Sequence, residues 1–289
     1  MAHTKESELK APLDAAVDEV WRELRTRKVH APQALFVMGT GLGLFPERLE
    51  HVREIELASV PGVPEPWRSA RLVSGRFDDL DLWTLEDRSL DETSGPAWTR
   101  AFPCWLAAAA GARVALVATA GASVSERVRV GSLMIANDHI DFANGRTLEG
   151  LARSKRGPLF PDQSRLHVEA LRNEALALAS EVGIELSTGV VAALAGPHLE
   201  TPAEARFLEL AGADVSVQGL GHLLAGCVHA GLGVLVVTAV ASRAGQPADL
   251  RRILEVAERQ APAIEDLALR LCNPIAMVAT ELARSTEEV

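Results

Sequence analysis

Short apolar runs alternate with amphipathic stretches along the whole chain, and that alternation limits the fold more than any other feature. Residues 12–27 place Leu13, Val17, Val20, Trp21 and Leu24 at helical spacing, with Pro12 suited to the first helical position. Ala34-Leu35-Phe36-Val37-Met38 is a short apolar run that ends at a glycine cluster, and it reads as a buried strand. Residues 70–74 and 80–85 read as two more strands, joined by a turn at 75–79. Residues 96–110 read as a helix ended by Gly111, and residues 114–119 as a strand that Gly121 breaks. A short strand at 133–136 follows, then a long, weakly patterned segment at 144–162 carrying Arg146, Arg153, Lys155 and Arg156. Loops of such length inside a compact domain are often functional or sit at interfaces. Beyond it the patterns predict a helix over 163–182, a strand over 189–195, and a helix opened by the capping box Thr201-Pro202-Ala203-Glu204. A very apolar strand over 234–241 and a closing helix over 248–271 complete the chain. This alternation predicts one α/β domain over 1–289 with a largely parallel sheet, an N-terminal helix at about 12–27 and a C-terminal tail after 272.

Composition narrows the function classes. Of 289 residues, 48% are hydrophobic and 24% charged, enough for a substantial core. The formal net charge is -10 with no basic run, which disfavours nucleic acid as a partner. The longest apolar stretches, 104–112 and 114–124, are split by Arg113, and neither reaches the roughly 18 residues of a membrane span. The polar N-terminus is no secretory signal. Cys104, Cys227 and Cys272 are odd in number and match no metal spacing. These features predict a cytoplasmic protein with no membrane partner and no metal.

Four stretches could carry chemistry. Gly39-Thr40-Gly41-Leu42-Gly43 follows a strand, and its glycines would let backbone N–H groups approach an anion. It lacks the lysine of a P-loop and the spacing of a dinucleotide fingerprint, so a tight turn explains it equally well. Ala195-Gly196-Pro197-His198-Leu199-Glu200-Thr201 lies between a strand and a capped helix, where α/β folds bind ligands. Glu200 there is either an acceptor for a polar heterocycle or a solvated loop acid. Thr119-Ala120-Gly121-Ala122-Ser123 permits close approach of a ligand or tight packing of strand ends. Arg88 suits bidentate phosphate recognition or stands alone on the surface.

In order and spacing these stretches resemble the trimeric purine nucleoside phosphorylases and methylthioadenosine phosphorylases. Val130-Gly131, Asp138-His139-Ile140, Phe160-Pro161-Asp162-Gln163-Ser164 and Gly212-Ala213-Asp214 extend the resemblance over roughly residues 34–271. It implies a mixed, largely parallel sheet flanked by helices, and phosphorolysis of a nucleoside to free base and pentose 1-phosphate. Inorganic phosphate would be the co-substrate, with no cofactor and no metal. By the same resemblance, Thr40, Arg88 and the backbone N–H of Ala120 would hold phosphate. Glu200 would hold the purine edge, Leu199 would pack on the base, and Ser242 stands where the family bonds the leaving purine. Gln218 takes the place of a methionine that packs on the sugar. Phe160 would reach into a neighbouring subunit of a homotrimer.

The chain also departs from that pattern. Leu90 stands for a phosphate-binding histidine, Glu92 for a sugar-binding tyrosine, and Thr119 for an asparagine. Val217-Gln218-Gly219-Leu220 replaces a Gly-Met-Ser-Thr stretch, and the histidine that meets the sugar 5′-hydroxyl gives way near Leu250. His222 could supply a lost imidazole. Losing one preorganised donor costs about 100- to 1,000-fold in rate. The alternative reading is therefore a catalytically degenerate member that acts as a binding or scaffold protein, with a hydrolase as a more distant third.

Overall fold

In the computed structural model, which describes residues 11–39, 43–86, 95–143 and 146–287, nine strands lie in one sheet. Helix α1 (Pro12–Thr26) is followed by β1 (Ala34–Met38), β2 (Glu50–Glu56), β3 (Arg71–Phe77) and β4 (Leu80–Glu86). Helix α2 (Phe102–Ala110) precedes β5 (Val114–Ser123) and β6 (Leu133–Asp141). Then come α3 (Glu169–Val182), β7 (Leu186–Leu194), α4 (Pro202–Leu210), β8 (Val215–Gln218), α5 (Leu220–Ala230), β9 (Gly233–Arg243) and α6 (Leu250–Glu287).

The strand order is β2-β3-β4-β1-β5-β8-β7-β6-β9, and β9 also pairs with β5. The far half of the sheet thus closes on itself through β5, β8, β7, β6 and β9. Parallel pairs join β1 to β4 and β5, β5 to β9, and β7 to β6 and β8; the other pairs are antiparallel. The expected mixed sheet is present, with parallel pairs in the majority.

Strand β1 is buried along its whole length because helices cover both of its faces. Alternation sends Leu35 and Val37 to a core shared with α1, α2 and α5, and sends Ala34, Phe36 and Met38 to a core shared with α3 and α6. Helix α1 starts with Pro12 inside its first turn and buries Leu13, Val17, Val20 and Leu24, the stripe its spacing foretells. Among the described residues no helix is long and apolar enough to cross a membrane.

Several elements differ from the sequence expectation. Gly121 does not break β5. An added Cβ there would meet Ser216 O at 2.5 Å, so the glycine lets β5 pass against β8 and continue to Ser123. Residues 96–110 divide into a 3₁₀ turn (Ala97–Ala101) and α2, with Pro103 in the first turn of the new helix. Helix α3 begins at Glu169 rather than at 163, because His167 bridges to Val234 in a parallel pairing and the Val168 N–H donates to Val234 O. The expected tail after 272 is instead helix: α6 runs on through Pro274 to Glu287, burying Ile275 and Ala279 against the core.

Candidate active site

The carboxyl end of β1 and the middle of β5 meet at Gly39. Its N–H donates to Ala118 O at 2.8 Å, and a Cβ at this position would lie 2.6 Å from the same oxygen. Only glycine allows the two backbones to come this close. Thr40 and Arg88, the expected phosphate ligands, lie outside the described residues, as do Leu90 and Glu92. Ala120 pairs with Ala239 of β9, and Ser242 follows on that strand opposite Ala122. These two expected site residues therefore occupy neighbouring strands.

Strand β8 brings in the other side of the site. Leu194 pairs with Gln218, and the Gly219 N–H donates to Leu194 O at 2.8 Å. Gly219 takes a left-handed φ of 74°, which lets β8 turn directly into α5. From the end of β8, Gln218 Nε2 donates to Glu200 Oε1 at 3.1 Å. Glu200 is buried although it lies on a loop, and Gln218 Oε1 is enclosed with no hydrogen-bond partner. The loop is held where it meets α4. Thr201 Oγ1 accepts from the Glu204 N–H at 3.2 Å, while Glu204 Oε2 accepts from the Thr201 N–H at 2.7 Å. That backbone donor holds the Glu204 carboxyl below its ordinary range.

Glu200 faces a cavity of about 320 Å³ lined by Phe142, Leu194, Ala195, His198, Glu204 and Phe207 among others. Phe142 and Phe207 stand edge to face with ring centroids 5.8 Å apart. The cavity thus offers aromatic walls and a buried carboxylate, a combination suited to a flat heterocycle that carries N–H donors. Leu199 is half exposed at the rim and does not line it. Ser242 lines a second cavity of about 430 Å³, between the end of β9 and the start of α6, with Arg243, Gln246, Arg252 and Arg259.

Phe160 is 88% exposed and Leu159 59%. Their loop is nonetheless anchored. Buried Asp14 of α1 accepts from Ser154 Oγ at 2.6 Å and from the Lys155 N–H at 3.0 Å, and Arg156 pairs with Asp18. Gly157 packs so closely on His229 that a Cβ would overlap its carbonyl oxygen at 1.8 Å. The loop is fixed to the body of the protein and presents Phe160 outward.

His222 does not reach either cavity. It is buried in the first turn of α5, where Arg100 donates to Nε2 at 2.9 Å. Arginine cannot accept, so the ring proton sits on Nδ1 and is donated to Thr147 Oγ1 at 2.7 Å. Burial, then the Arg100 charge, keeps this imidazole below its ordinary pKa. Both ring nitrogens are committed to packing, which removes His222 as a substitute imidazole.

Residues 36–273 match the family model described as the phosphorylase superfamily. Purine nucleoside phosphorylase 1 of Geobacillus stearothermophilus is 27% identical over 258 residues, which cover 84% of this chain and 92% of that protein. Purine nucleoside phosphorylase 1 of Bacillus subtilis is 29% identical over 241 residues, 79% of this chain and 87% of that one. The crystal structure of a Schistosoma purine nucleoside phosphorylase in complex with hypoxanthine superposes with a TM-score of 0.82 at 21% identity, covering 89% of this chain and 96% of that chain. At that identity the superposition speaks for the fold.

Proposed function

Because the chain belongs to the phosphorylase superfamily, we propose that it is a pentosyltransferase that cleaves a purine nucleoside with inorganic phosphate. The products are the free base and a pentose 1-phosphate. Phosphate attacks the anomeric carbon as the bond to the base breaks. The sugar then gains positive charge and the departing base negative charge. A site for this reaction needs an anion on one side of the sugar and hydrogen-bond partners around the base on the other. No cofactor enters the scheme, and phosphate is the co-substrate.

The observation that carries the reading is the buried Glu200 carboxylate, bonded to Gln218 and opening onto a cavity walled by Phe142 and Phe207. In this reading Glu200 accepts a purine N–H, and Gln218 holds the carboxylate in place for it. Leu199 folds over the base from the rim; Ser242 lines the second cavity, and its role as donor to the leaving purine is carried by the family resemblance alone. Thr40, Arg88 and the Ala120 N–H hold phosphate. The names of the curated relatives support the same chemistry. We further propose a cytoplasmic homotrimer in which Phe160 caps a neighbouring subunit's site; its exposure on an anchored loop supports this.

The test is base release from a panel of purine nucleosides with and without phosphate, run beside Arg88→Ala. Phosphate-dependent release that the variant loses is the expected result. Release without phosphate would make the protein a hydrolase. No release by folded protein would favour a binding or scaffold role and overturn the proposal.

A further inference from the structure

Three ligating side chains meet outside the site described above. Asp138 and His139 lie near the end of β6, and His167 lies just before α3. Regular strand geometry would send Asp138 and His139 to opposite faces. The β6–β7 register slips between Ala136 and Asp138, leaving Asn137 unmatched, and such a bulge re-aims the side chains beside it. His167 is set from the other direction by its bridge to Val234. As a result His139 Nδ1 and His167 Nε2 lie 3.0 Å apart, and the ligating atoms of all three residues lie within 4.8 Å of one another.

A hydrogen bond between the two imidazoles accounts for one nitrogen of each. It leaves His167 Nδ1 enclosed with no partner. Two imidazole nitrogens and a carboxylate are the donor set of open zinc sites. Bonds of about 2.0–2.1 Å in a tetrahedral shell separate two nitrogens by about 3.3 Å, so the rings need part by only a few tenths of an ångström. Gln163 sits beside His139, as an outer hydrogen-bond partner of a ligating ring does.

We propose that Asp138, His139 and His167 bind one divalent transition-metal ion of the zinc type, completed by water, which clamps β6 to the segment leading into α3. The ion takes no part in the phosphorolysis proposed above, so the two ideas stand or fall separately.

The test uses the full chain, stripped with a chelator and titrated with cobalt(II) and then zinc(II). The expected result is one ion per chain, with cobalt absorption bands displaced by zinc. In His139→Ala and His167→Ala the affinity should fall by more than about 10-fold, while His51→Ala leaves it unchanged. Zinc-edge X-ray absorption on the unaltered protein should show imidazole scattering, which keeps the test valid if a variant does not fold. Substoichiometric uptake, binding unchanged in His167→Ala, or an edge spectrum without imidazole would overturn the site.

Discussion

Gln218 and Glu200, eighteen positions apart in sequence, are joined by a 3.1 Å hydrogen bond from amide to carboxylate, and Glu200 lines the aromatic cavity. The bond fixes the carboxylate rotamer and leaves its second oxygen for a ligand. Replacing Glu200 with alanine should lower kcat/KM for a purine nucleoside about 100-fold or more, because the base loses a preorganised partner. Gln218→Leu removes one hydrogen bond to a charged group, worth about 1.5–3 kcal/mol, so a loss of roughly 10- to 100-fold is expected. Steady-state kinetics on both variants checks this. Full activity in Glu200→Ala would detach this cavity from the base.

At Gly121 an added Cβ would lie 2.5 Å from Ser216 O and 2.7 Å from Val215 Cγ1. The oxygen belongs to the backbone of β8 and cannot move without breaking the β5–β8 pairing. Gly121→Ala should therefore cost about 1–3 kcal/mol of stability by overpacking. Gly43→Ala, where a Cβ meets no atom of the described residues within 4 Å, should be close to neutral. Urea unfolding of the two variants separates the cases, and equal midpoints would refute the close approach.

Those elements that carry their own signal were legible in the sequence. β1 and β9 are apolar along most of their length, and the Thr201–Glu204 capping box closes as its spacing predicts. β2 escaped notice because every residue but Ile55 is exposed, so its pairing with β3 at the edge of the sheet rests on backbone alone and writes no alternation. β8 has only four residues, too few for a period to show. The end of α6 was hidden by Pro274, a residue that ordinarily disfavours helix interiors; burial of Ile275 and Ala279 outweighs it here. Glu200 could be singled out from its place after a strand, but its bond to Gln218 depends on β7 and β8 lying side by side. The His139–His167 contact depends on a bulge and a bridge, and neither has a local signature.

The anchoring of the Phe160 loop rests on Asp14. Its carboxylate receives Ser154 Oγ and the Lys155 N–H inside the protein. Asp14→Ala strands a backbone donor and should cost about 1–3 kcal/mol. It should also free the loop. Limited proteolysis is expected to cut within residues 153–162 faster in the variant, and if Phe160 completes a neighbour's site, KM should rise as well. Unchanged cleavage would show that the Arg156–Asp18 pair and Gly157 packing hold the loop without Asp14.

Two of the histidines that burial keeps neutral accept hydrogen bonds from the core and bear on stability in acid. Trp105 Nε1 donates to His229 Nδ1 at 2.9 Å, and Arg100 donates to His222 Nε2. Each acceptor nitrogen must stay unprotonated for its bond to exist. Burial lowers both pKa values; Arg100 lowers His222 further, and Asp14 and Asp141 only partly oppose the shifts. A histidine lowered in the folded state contributes stability that is complete above its unfolded value of about 6.5 and is lost as pH falls through the folded value. The urea midpoint should therefore drop between about pH 7.5 and about pH 5. In His229→Gln, whose side-chain oxygen can still accept from Trp105, the drop should be smaller. A midpoint that stays level across this range would mean that neither imidazole is held neutral by the fold.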